Sequence, residues 1–212
     1  FFRDGFIKAI SPADVIQKQF SEEKFEERID CSGKCILPDI NFFSVKPLGA
    51  EWGAQAISHL EDVSDEGIAA MVTARCSALL LPTTAYMLRL MSVFPFLTLK
   101  QPPARKMLDE GVIVALGSDF NPNAYCFSVP MVTHLACVNM SMSMPELLAA
   151  ATISAADALG QSHTHGSLEV GKQGDLIVIN SSRWEPSIYQ FGGHHELIEY
   201  VIAKGKVIYK KL

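Results

Sequence analysis

Three apolar segments in the middle of the chain each run into polar or charged residues: AQAISHLE (54–61), CSALLLPTT (76–84) and VIVALGSD (112–119). Between and after them lies text with helical spacing. SDEGIAAMVTAR (64–75) places Ile68, Met71, Val72 and Arg75 at helical intervals, ARKMLDEG (104–111) reads as a helix end stopped by Gly111, and PMVTHLACVNM (130–140) is helical again. SMPELLAAATISAADALG (143–160) reads as one helix, with Ser143 and Glu146 forming a capping box and Gly160 a stop. Strands that alternate with helices cannot pair through tight hairpins, so this rhythm predicts parallel β/α units. In such units functional groups collect where the strands end. His59, Thr83, Thr84 and Asp119 all fall there.

Both ends of the chain read differently. FFRDGFIKAI predicts a short hairpin around Asp4-Gly5, and Ser11-Pro12 predicts a helix start with Ser as cap. ERIDCSGKCILP is strand-like. Near the other end GSLEVGKQGDLIVIN predicts strands around Gly171 and Gly174, and EYVIAKGKVIYKK a hairpin turning near Lys204-Gly205.

With 212 residues, 49% of them hydrophobic, the chain can bury a large core. Its net charge of −5 gives no basic footprint for nucleic acid or for an anionic membrane. No apolar run reaches the roughly 18–20 residues a spanning helix needs. The five cysteines, an odd number set mostly in apolar text, are read as free thiols of a soluble cytoplasmic protein without a secretory signal.

Asp119 closes an apolar strand. A carboxylate at the mouth of a buried sheet must be paired or bound to a metal, or else it caps the turn-prone Asp-x-Asn-Pro that follows. Both readings stand on spacing alone. His59 closes the first segment and is either a hydrogen-bonded structural residue or a partner of Asp119 on the same rim. His163 and His165, with no apolar strand leading into them, read as a solvated loop, as do His194 and His195. His134 reads as partly buried structure within a helix. Cys31 and Cys35 could be half a zinc site, but no second Cys/His pair stands at finger-like spacing.

Taken together, ISHLE, LLLPTTAYMLR, VALGSDFNPN, LAAATISAADALG and GSLEVGKQGDLIVI resemble the imidazolonepropionases of the amidohydrolase superfamily, in their vertebrate type. The resemblance covers residues 1–38 and nearly everything from about Gly53 onward. It implies an α/β fold: a metal-dependent (β/α)8 barrel, here about its last four β/α units, beside a small composite β-sandwich. Residues 1–38 and 166–212 would make the sandwich and 39–165 the partial barrel. It further implies that Asp119 is the metal ligand at the end of the eighth barrel strand. His59 would orient substrate and attacking water, and Asn121 and Asn123 would belong to the substrate loop, although bacterial relatives tend to have Gly at the latter position. The implied reaction is hydrolysis of the ring amide of 4-imidazolone-5-propanoate to N-formimidoyl-L-glutamate, a step of histidine degradation. Zn²⁺ or Fe²⁺ would lower the pKa of bound water and polarise the carbonyl, while Asp119 shuttles the proton.

The chain departs from that family where it matters. The family's strand after ILP, with its His-x-His metal pair, has no counterpart, because residue 39 onward goes straight to text resembling barrel strand five. There the family's His-Gly-Asp-Glu is replaced by Phe43-Ser44-Val45-Lys46, and MSVFPFLT (91–98) reads as an apolar insertion. Of three histidines and one aspartate only Asp119 remains, and a single carboxylate cannot hold Zn²⁺ tightly. A complete barrel takes about 250 residues. The expectation is a shortened form, such as a splice variant, that retains no metal, is catalytically deficient and tends to aggregate. The alternatives are a non-catalytic fragment that binds full-length subunits, in keeping with the homo-dimer the family implies, and a deaminase of the same superfamily acting on a nucleobase or related ring, which shares the strand-end aspartate.

Overall fold

A computed structural model describes residues 1–25, 27–38, 53–91, 100–122, 125–190 and 192–212. The text resembling barrel strand five, the insertion reading at 92–98 and Asn123 lie outside the described residues.

The chain opens with the expected hairpin, β1 (Phe2–Arg3) and β2 (Phe6–Ile7), turning through Asp4 and Gly5 at positive φ. Helix α1 (Ala13–Gln19) follows. Its cap position is Pro12 rather than Ser11, and no side chain caps it: Pro12 is extended (ψ 148°), which moves the helix start one residue later than the Ser-Pro pair predicts. Strand β3 (Cys35–Pro38) closes this first part.

The middle builds the parallel units. Strand β4 (Ala56–Ser58), helix α2 (Asp65–Ala74), strand β5 (Ser77–Leu80), helices α3 (Pro82–Met91) and α4 (Ala104–Asp109), and strand β6 (Val114–Leu116) succeed one another. Among the described residues the three strands form one parallel sheet in the order β4-β5-β6. Ser64 caps α2 by accepting from the Gly67 N–H, and Arg75 ends it in the left-handed conformation. Helices α5 (Val129–Met140), α6 (Met144–Ala151) and α7 (Ile153–Ala158) come next.

Helices cover both faces of this sheet. On one, Ala78, Leu80, Val114 and Leu116 pack with Ile68 and Met71 of α2, Met107 of α4, Val132 and Ala136 of α5 and Leu147 of α6. On the other, Leu79, Leu81 and Ala115 meet Ala155 and Ala158 of α7. That is why the strands read as unbroken apolar runs and not as alternating ones: every residue of β5 and β6 is buried.

The predicted single helix over 143–160 is two. The capping box of Ser143 and Glu146 forms, and Gly160 ends the run at φ 68°, but Thr152 breaks it at φ −130°, ψ −92°. Its hydroxyl donates back to the Leu148 carbonyl at 2.6 Å, a side-chain alternative to the backbone ladder, and the break turns α7 onto the sheet.

Strand β7 (Leu176–Ile179), the short helices α8 (Pro186–Tyr189) and α9 (His194–Leu197), and strands β8 (Ile198–Ala203) and β9 (Lys206–Lys210) complete the chain. They join β3 in an antiparallel sheet ordered β3-β7-β8-β9, with β8 and β9 turning at Lys204-Gly205 as predicted. Its core is Leu176, Val178 and Ile202, with Phe2, Leu168 and Val207 packed against it. The first hairpin is tied to this unit: Gly174 N–H donates to the Gly5 carbonyl at 2.7 Å, and a Cβ on Gly174 would sit 2.6 Å from the Phe2 ring. Only glycine fits at that crossing.

His194 is not in a solvated loop. It begins α9 and is buried, because the turn packs it against Ile188 of α8, itself in the main core. His163 is exposed in a loop, and His165 is held by Thr164 and Asp175. All five cysteines are free. Among the described residues no helix is long and apolar enough to cross a membrane.

Candidate active site

The parallel register puts the carboxyl ends of β4, β5 and β6 side by side, and the residues that follow each strand form one rim. His59 follows β4 and its N–H donates to the Leu79 carbonyl of β5. Gly117 follows β6 and donates to the Leu80 carbonyl. Thr83 and Thr84 follow β5, in the first turn of α3, and both are buried.

The two threonines fasten the acidic loop. Thr83 donates its hydroxyl to the Ser118 carbonyl at 2.8 Å, and Thr84 donates to Oδ2 of Asp119 at 2.9 Å. Asn121 reaches back, with Nδ2 2.6 Å from the Asp119 carbonyl and 3.1 Å from Oδ2. Asp119 thus has its carboxylate half-buried and held by a neutral hydroxyl and a neutral amide. Its backbone sits at φ 48°, a region few residues other than glycine adopt. His59 and Leu60 lie at φ 75° and 69°. Left-handed backbone at non-glycine residues costs on the order of 1–3 kcal/mol each and clusters where a fold fixes side chains for a purpose.

The predicted site residues therefore fare unequally. Asp119 and Asn121 come together. His59 stands on the same rim, half-exposed, with Nδ1 3.5 Å from Oε1 of Glu61. Sequence reasoning placed Thr83 and Thr84 at the rim but missed their bonds, although two adjacent hydroxyls at a strand end were a visible source of donors. It also missed three rings directly beyond Asp119. Phe120 stacks on Phe127 at 4.3 Å between centroids, and Tyr125 meets both edge-on; all three are exposed.

The amidohydrolase family matches residues 53–208, which hold the parallel sheet, its rim and most of the antiparallel sheet. This chain belongs to the amidohydrolase family.

Relatives named probable imidazolonepropionase are similar at high identity. The one from Homo sapiens is 76% identical over 190 residues, covering 86% of this chain and 42% of that protein. The Mus musculus relative is 82% identical over 191 residues, covering 87% of this chain and 43% of its own. The chain thus spans less than half the length of these relatives. Among solved structures, an adenosine deaminase from Xanthomonas campestris with bound zinc superposes with a TM-score of 0.61 at 21% identity, covering 72% of this chain and 36% of that one. Guanine deaminase from E. coli gives 0.58 at 18%, covering 74% and 39%. At these identities the likeness shows the shared fold alone.

Whether an amidohydrolase metal fits here is decided by the donors. Zinc takes about four ligands from His, Cys, Asp or Glu. Among the described residues no group of three or more such side chains converges, and around the Asp119 carboxylate the hydrogen-bond partners are Thr84 and Asn121. The described donor set does not fit the ion.

Proposed function

We propose that this chain is of imidazolonepropionase lineage. The activity of that lineage is hydrolysis of the ring amide of 4-imidazolone-5-propanoate to N-formimidoyl-L-glutamate, assisted by zinc or iron, in histidine breakdown. High identity to relatives of that name across both sheets supports the lineage. In this reading Asp119 descends from the metal-binding carboxylate of the last barrel strand, His59 from the residue that orients substrate and water, and Asn121 and Asn123 from the substrate loop. In the same reading residues 39–165 belong to the last part of a (β/α)8 barrel. Residues 1–38 with 166–212 form the companion β-sandwich.

The chain as it stands does not turn over that substrate and holds no zinc or iron. The observation that carries this is the Asp119 carboxylate, engaged by a hydroxyl and an amide where the ion would need imidazole or carboxylate donors that do not converge there among the described residues. The test is turnover of 4-imidazolone-5-propanoate by the purified chain with added Zn²⁺ or Fe²⁺, beside a full-length relative as control. Activity only in the control is expected; turnover by the chain itself would refute the reading.

A second reading is a non-catalytic fragment that binds full-length subunits, supported by the sheet edge that β6 presents among the described residues. Co-expression of the chain with a full-length relative, followed by size-exclusion chromatography, tests it: failure to co-elute removes that reading. The deaminase reading rests on the shared strand-end aspartate and on fold likeness, and the Ser-Asp-Phe-Asn-Pro-Asn text around Asp119 disfavours it.

A further inference from the structure

His134 and His194 come from different parts of the fold and meet at one carbonyl. His134 lies on α5, whose Val132 and Ala136 are buried under the parallel sheet. His194 opens α9, which runs directly into β8 of the antiparallel sheet. Between them stands Ile188 of α8, 3% exposed and part of the same core as α5. Its carbonyl lies 3.1 Å from Nδ1 of His134 and also faces the His194 ring. The two rings are 6.4 Å apart between centroids, inclined at 63°. A carbonyl only accepts, so an imidazole nitrogen that bonds it carries the proton.

His194 is 5% exposed, and its Nε2 is buried with no hydrogen-bond partner among the described residues. With its other nitrogen protonated toward Ile188, a neutral ring leaves only a lone pair at Nε2. A second proton there would find no acceptor among the described residues. The charges around the ring make this worse, since His134 from α5 and His195 from α9 both oppose a positive charge on it. The carboxylates on neighbouring elements are engaged elsewhere: Glu185 with Arg183, Glu196 with Lys211 and Glu199 with Lys34. Cys137 of α5 and Tyr189 of α8 bring a thiol and a phenol, neither of them a counter-ion.

We propose that the Ile188 carbonyl, held between His134 and His194, is a proton-operated latch that joins the α5 layer to the antiparallel sheet. With His194 neutral the latch is closed. Protonation of His194 expels the α9 turn, hydrates the ring and frees the start of β8.

The sign follows from burial. Desolvation holds His194 below the ordinary imidazole range in the closed state, so the open state binds more protons. Closure is complete above about pH 6.5 and weakens as pH falls below it. Each unit by which the fold lowers the ring's pKa corresponds to about a tenfold bias toward opening once both states have titrated.

The test is histidine-selective ¹⁵N NMR of the whole chain from pH 8 to pH 5, with amide exchange measured in parallel. Three results are expected. His194 shows the Nδ1–H tautomer and titrates below the free imidazole value. Exchange at residues 188–190 and 192–200, corrected for intrinsic rate, speeds several-fold and at most about tenfold between pH 7.5 and 5.5, while the middle of α5 stays protected. In His194→Gln, whose amide can donate to Ile188 but does not titrate, that acceleration is lost. A His194 that titrates at or above the free value overturns the proposal, as does acceleration that persists in His194→Gln. Should that variant fail to fold, the wild-type titration decides alone.

Discussion

Thr84 and Asp119, on the ends of two neighbouring strands, are joined by a hydroxyl-to-carboxylate hydrogen bond of 2.9 Å, and Asn121 shares the same carboxylate oxygen. A half-buried charge is thereby satisfied without a cation. Removing the donor leaves part of that charge unmet, and hydrogen bonds to charged groups contribute about 1.5–3 kcal/mol. Thr84→Val is expected to lower stability by about 1–2 kcal/mol in urea unfolding, and Thr84→Ser to restore most of it. A Thr84→Val chain as stable as the parent would show that the bond contributes nothing.

Metal content follows from the same arrangement. Purified chain is expected to carry well under one equivalent of zinc or iron by elemental analysis, and Asp119→Asn to leave zinc affinity unchanged in calorimetric titration. One equivalent bound by the parent and lost in Asp119→Asn would place a real ion at this carboxylate.

Glu146 sets a pH dependence. Arg105 binds both its oxygens at 2.9 Å, and the Ser143 N–H and hydroxyl donate to it as well. The Arg105 guanidinium and then these Ser143 bonds hold its carboxyl down at about 2, against 4.5 for a free one. A depressed carboxyl contributes stability that is full above the unfolded value and lost as pH falls from there through the folded one. The window is therefore pH 4.5 down to about 2. Because the pair is partly exposed, solvent screening reduces the effect to about 1–2 kcal/mol. Glu146→Gln is expected to cost that much at pH 7 and to flatten the acid limb of the stability profile. An unchanged limb would mean that the contacts carry no net energy.

Phe120, Tyr125 and Phe127 expose three mutually packed rings beside the rim. Contiguous exposed apolar surface promotes association. Replacing Tyr125 and Phe127 by Ser is expected to shift the chain toward monomer in light scattering at fixed concentration, with unfolding midpoint unchanged. Identical scattering before and after would clear these rings of any part in self-association.

The parallel sheet and its rim were legible because burial on both faces leaves a plain mark, a run of apolar residues with a polar stop. Asp119 and Thr84 could be assigned to the rim for that reason, whereas the bond between them depends on adjacent strands in register, which spacing along one strand does not encode. Thr152 reads as an ordinary helix residue until its hydroxyl is seen to bond Leu148. His194 was misread as solvated because two glycines and a second histidine beside it look like loop. Its burial comes from α8, brought over it by tertiary packing.

In the antiparallel sheet β3 is hydrogen-bonded to β7, though the whole parallel unit lies between them along the chain. A nascent polypeptide leaving the ribosome would expose Cys35–Pro38 long before any mate for it exists. Closing so long a loop costs entropy before the pairing repays it, so this seam is expected to zip late in folding.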